Sequence, residues 1–160
     1  MIVMDPLALP LSCPCVEGYA QRDYEKLGEY LSEKLQRKVD VVFSESLTDA
    51  LQRKTGGRAD LVIGKRSVVE HDAVESKLPL TPIAALTGKD GSTTQTGLIV
   101  VPAGDPAKSA ADLKGYRILF GPPEAQEKNA AAAQLLKDHG VALPSPMETC
   151  EGCAEGAAIV

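Results

Sequence analysis

Tryptophan is missing from this chain, and the three aromatic residue types together supply only 4% of its 160 residues. That removes the stacking platforms on which sugars and single-stranded bases are held. Positive charge is also short: 17 Lys and Arg stand against 22 Asp and Glu, a formal net charge of −5. A surface of that sign does not suit a phosphate backbone, so no nucleic-acid partner is expected. No apolar run approaches the ~20 residues that a membrane-spanning helix needs. Met1-Ile2-Val3-Met4 runs straight into a strand-like segment without a basic leader, so a signal peptide is absent from this sequence or has been removed from it. Catalytic signatures are lacking too: there is no Ser/His/Asp order, no phosphate-binding P-loop and no H-E-x-x-H, and the chain is not read as an enzyme. Cysteine is absent from the whole middle of the chain and occurs as two pairs at its ends, Cys13-Pro14-Cys15 and Cys150-Glu151-Gly152-Cys153.

What is present belongs to an ordinary globular protein, 44% hydrophobic and 24% charged, large enough for one domain or two small lobes. Residues 2–9 read as a first strand. Tyr24, Leu27, Leu31 and Leu35 recur at helical spacing with charged residues on the other faces, which predicts an amphipathic helix. Residues 39–43 form a second strand, and residues 46–54 a short helix with Ser46 as its N-cap. Residues 59–64 are an apolar run of the buried parallel type, followed by a short helix over 68–75. Further strands are expected at 80–86 and 94–102, with Lys89-Asp90-Gly91 as a turn. After Pro102 the pattern restarts: a short helix at 109–113, a strand at 116–120, and an alanine-rich helix from 124 to 139 closed by Gly140. Pro144 and Pro146 mark a loop, and residues 150–160 start a last helix. Alternating strands and helices imply a parallel α/β sheet, with ligands beyond the carboxyl ends of its strands.

Several blocks resemble the type II periplasmic solute-binding proteins, in particular the phosphate/phosphonate-binding branch of the ABC transporter family. Tyr30-Leu31-Ser32-Glu33-Lys34-Leu35 followed by Val39-Asp40-Val41-Val42 is similar to that family's first helix and second strand. Gly57-Arg58-Ala59-Asp60-Leu61 resembles its approach to the third strand, and Ala111-Asp112-Leu113-Lys114-Gly115 its passage into the second lobe. The resemblance implies a two-lobed α/β fold with parallel or mixed sheets, residues 1–102 forming one lobe and 103–160 the start of a second, incomplete one. It further implies a small ligand taken up in an interlobe cleft, ABC transporter membrane subunits as partners, and a periplasmic location. Completion of the second lobe by another copy of the chain is a further expectation.

In the resembled fold the loop after the first strand and the late loop of the second lobe line one cleft. That draws Cys13, Cys15, Cys150 and Cys153 together as ligand-binding candidates. Four thiolates in a C-x-C plus C-x-x-C set suit Cu(I) or tetrahedral Zn²⁺; disulfides and inert thiols are open alternatives. The hydroxyl-rich loop offers Ser92, Thr93, Thr94, Gln95 and Thr96, and Tyr19 and Lys128 complete the candidate set. The stretch from Gly121 to Lys128 holds no hydroxyl and brings Glu124 and Glu127, so it differs from the Ser/Thr-rich phosphate loop of the relatives. The leading expectation is a solute-binding protein whose ligand is an oxyanion or a soft metal ion. The alternatives are a thiol-based metal-handling or redox domain and a disulfide-stapled sensor module.

Overall fold

The computed structural model describes residues 1–12, 21–94 and 96–159. Two compact units account for the chain, Met1–Thr81 and Pro82–Val160.

The first unit is built on three short parallel strands in the order β2-β1-β3: β1 (Ile2–Val3) at the centre, β2 (Val42–Phe43) and β3 (Val62–Ile63) beside it. Ile2 is level with Val42 and Val62, and Val3 with Phe43 and Ile63. Successive side chains of a strand point to opposite faces, and both faces are covered. Ile2 and Met4 pack with Leu47, Ala50, Leu51 and Ala73 on one side. Val3 packs with Ala8 and Tyr24 on the other. Burial on both faces is what the uninterrupted apolar runs of a parallel sheet predict.

Helix α1 (Tyr24–Leu35) starts at Asp23, whose carboxylate accepts from the Lys26 amide at 3.1 Å. It lies close to the chain at Val41: a Cβ on Gly28 would sit 2.5 Å from Val41 Cγ2. Helix α2 runs over Leu47–Asp49 and widens into a π-helical turn, Ala50–Lys54. Ser46 caps it as the sequence predicts, accepting from the Asp49 amide at 3.3 Å. Helix α3 spans Arg66–Glu75, and Asp72 on it reaches back to accept from the Leu47 amide at 2.9 Å.

The second unit carries β4 (Leu119–Phe120) and β5 (Glu148–Thr149) in parallel, with helices α4 (Ala130–Asp138) and α5 (Cys153–Ile159). Its core gathers Leu113, Phe120, Ala133, Leu136 and Val141, with Met147 packed against them. The A-D-L-K-G stretch has a physical reading here. Asp112 accepts from the Ser109 amide at 2.8 Å and the Lys108 amide at 3.0 Å, Leu113 is buried, and Gly115 turns the chain at φ +82°.

The α/β class and the parallel pairing agree with the expected fold. Three local expectations need correction. Residues 80–86 and, among the described residues, 94–102 form no strand. An apolar run becomes a strand only when a neighbouring strand takes its backbone groups, and neither run has such a neighbour among the described residues. Val101 still packs on the second core, while Leu98 and Val100 are 82% and 70% exposed. The helix expected from residue 124 begins at Ala130, because Gly121 to Asn129 is folded into a closed loop instead.

Candidate functional site

In an open parallel sheet the ends of the strands at their carboxyl side carry the loops that meet ligands. In the first unit those loops begin at Asp5 after β1, Ser44 after β2 and Gly64 after β3. Asp5 is the most constrained polar group there, 3% exposed. Its Oδ1 accepts from the Leu7 amide at 3.0 Å, and its Oδ2 from Arg22 Nη1 at 2.9 Å and from the Tyr24 hydroxyl. Burial together with the neighbouring Asp5 carboxylate pushes the Tyr24 phenol well above its ordinary range. A carboxylate buried this deeply is tolerated because donors surround it.

Beside this cluster lies an open pocket of about 390 Å³ lined by Leu11, Ser44, Glu45, Ser46, Asp49 and Lys54. Ser44 is buried and its amide donates to the Val3 carbonyl at 3.0 Å, continuing the β1–β2 ladder. Lys54 Nζ donates to the Phe43 carbonyl at 2.7 Å and stands 3.9 Å from Asp49 Oδ2. Two carboxylates against one ammonium leave the lining negative.

In the second unit the corresponding end is closed by backbone. The Gly121 amide donates to the Lys128 carbonyl at 3.0 Å, and Asn129 Nδ2 to the Gly121 carbonyl at 2.8 Å. Gly121 is required there, since a Cβ would lie 2.5 Å from that of Lys128. The Cys150 amide donates to the Phe120 carbonyl at 2.8 Å, which sets the residue after β5 beside the start of the same loop. Gly97 runs against Glu127 so closely that a Cβ would collide with its carbonyl oxygen. The end of the hydroxyl-rich segment, at Thr96, is thereby brought to the neighbourhood of Lys128.

Of the candidates read from sequence, Cys13, Cys15, Tyr19 and Gln95 lie outside the described residues, as does the side chain of Cys153, which opens α5. Cys150 is a free, half-buried thiol with its sulfur toward Gly156, so no disulfide ends on it. Among the described residues no group of three or more His, Cys, Asp or Glu is placed to hold a metal ion. Ser92 is half-buried, and Thr93, Thr94 and Thr96 are exposed. Ser92 Oγ and Thr94 Oγ1 are 3.0 Å apart, and the Ser92 amide donates to Asp90 Oδ1 at 3.0 Å, which ties the loop into its own turn. The sequence reading missed Asp5, Arg22 and Tyr24. The available signal was an acidic residue directly after a buried apolar strand, Ile2-Val3-Met4-Asp5.

The family model described as ABC transporter, phosphonate, periplasmic substrate-binding protein matches residues 18–150. The chain belongs to this family. It is a substrate-binding protein of an ABC transporter, in a family that works outside the cytoplasm and binds rather than transforms its substrate. No solved structure matches the chain. The matched span takes in Ser92 to Thr96, Lys128 and Cys150, and leaves Cys13, Cys15 and Cys153 outside. No helix among the described residues is long and apolar enough to cross a membrane.

Proposed function

We propose that this chain captures a small phosphonate- or phosphate-like oxyanion and presents it to the membrane subunits of an ABC importer. The observation that carries this reading is the family match over residues 18–150. Two features of the second unit support it. The loop closed by Gly121, Lys128 and Asn129 lies at the carboxyl ends of β4 and β5, where parallel sheets hold ligands. The segment carrying Ser92, Thr93, Thr94 and Thr96 leads to Gly97, which lies against Glu127 of that loop, and this brings Thr96 to its neighbourhood. Binding of this kind needs no covalent step: the protein supplies oriented donors and positive charge.

A thermal-shift series and titration calorimetry with methylphosphonate, phosphite, phosphate and sulfate test the proposal. A ligand present at 100 times its Kd should stabilise the folded chain by about 2.7 kcal/mol, a clear rise in Tm. If none of the four anions raises Tm or releases heat of binding, the oxyanion reading is wrong.

A further inference from the structure

We propose that Arg22, held in place by Asp5 and Tyr24, is a specificity-determining contact for an anionic ligand in the first unit. The inference rests on the oxyanion reading above and names a residue for it. Asp5 lies two positions beyond β1, the central strand of the sheet, at its carboxyl end. Around it the backbone is fixed before any ligand arrives. Arg22 forms a parallel bridge with Ala8, its amide donating to the Leu7 carbonyl at 2.7 Å and its carbonyl accepting from Leu9 at 3.0 Å. Tyr24, 4% exposed, is fixed by the first turn of α1.

The ion pair is asymmetric. The Asp5 side chain is 5% exposed and that of Arg22 31%, so the pair is sealed at the carboxylate and open at the guanidinium. A guanidinium has five N–H donors in a planar fork, of which Asp5 takes Nη1. The fork suits two oxygens of one phosphonate or phosphate group, and a guanidinium already oriented loses little entropy on binding. In the neighbouring pocket the carboxylates of Glu45 and Asp49 oppose an anion, and Lys54 is committed to the Phe43 carbonyl. Among the described residues that line the carboxyl ends of β1 and β2, Arg22 is the cation whose geometry favours an oxyanion.

Calorimetry of the full chain with methylphosphonate and with inorganic phosphate tests this, on the wild type, Arg22→Met and Arg22→Lys, with circular dichroism and Tm recorded for each. Arg22→Met should bind about tenfold more weakly or worse, the effect of losing hydrogen bonds to a charged group. Arg22→Lys should fall in between, keeping the charge and losing the fork. A side chain that serves only to staple the chain to Asp5 would lower Tm and leave Kd unchanged, and that outcome overturns the proposal. Should Arg22→Met fail to fold, Arg22→Lys decides: wild-type affinity in that variant also overturns it. A wild type that binds neither anion overturns the oxyanion reading itself, and this inference with it.

Discussion

The two units close the carboxyl ends of their strands by different means. The first uses charged and polar side chains, with Asp5 buried under Leu7, Arg22 and Tyr24. The second uses backbone and an amide, with Gly121 bonded to Lys128 and Asn129. A buried carboxylate is rigid only while every donor stays in place. A glycine-closed loop tolerates changes of charge but not an added methyl group. The first unit should therefore fail when its charges are altered, and the second when its space is filled.

The largest effects should come from the cores and should show whether the units are separate. Phe120→Ala removes a side chain 2% exposed in the second core and should cost about 3–5 kcal/mol; Leu47→Ala in the first should cost about 2–5 kcal/mol. Hydrogen exchange read by mass spectrometry should show Phe120→Ala stripping protection from α4 while β1 and α1 keep theirs. Equal loss in both units would break the comparison.

Next come the two closures. Asp5→Ala leaves Arg22 without its carboxylate, and breaking a fully buried pair costs about 3–5 kcal/mol. Because Arg22 is 31% exposed, we expect about 2 kcal/mol in urea unfolding after allowing for solvent screening. Gly121→Ala places a Cβ against Lys128 and should cost about 1–3 kcal/mol. A charge-preserving Lys128→Arg should be nearly neutral for stability. If Gly121→Ala is silent in urea unfolding, the loop is not closed as described.

The smallest effects are those of pH, and their signs differ between the units. Tyr24 holds its proton above the ordinary phenol range through burial and its bond to Asp5. Its contribution is complete below the unfolded value of about 10 and is lost as pH rises beyond that. Ultraviolet titration should show a late-ionising tyrosine, above the ordinary phenol range; Tyr24→Phe should remove that step. In the second unit the Arg117 hydrogen bond holds Glu148 below its usual range. Its contribution is present above the unfolded carboxylate value of about 4.3 and is lost as pH falls through the lower folded one. Arg117→Met should flatten this acid limb in pH-dependent urea unfolding.

Local information made much of the fold legible. The spacing of Tyr24, Leu27, Leu31 and Leu35 marks α1, and the cap at Ser46 is read correctly. The runs at 80–86 and 94–102 misled because hydrophobicity does not reveal whether a partner strand exists. The late start of α4 escaped because Asn129 reaches back to Gly121, a contact between residues eight positions apart. For the same reason the partners of Asp5 are not legible in sequence, although Asp5 itself follows an apolar strand, as Arg22 is 17 and Tyr24 19 positions away. The cysteine pairs stood out in composition, yet three of the four fall outside the family match. Cys13, Cys15 and the side chain of Cys153 also lie outside the described residues.

The central claim is that this member of the phosphonate-binding family takes an oxyanion. Calorimetric titration of the wild-type chain with methylphosphonate, phosphite and phosphate, with sulfate alongside, tests it most directly. Saturable binding of at least one phosphorus oxyanion, weaker for sulfate, is the predicted result; no heat of binding with any of them would contradict it.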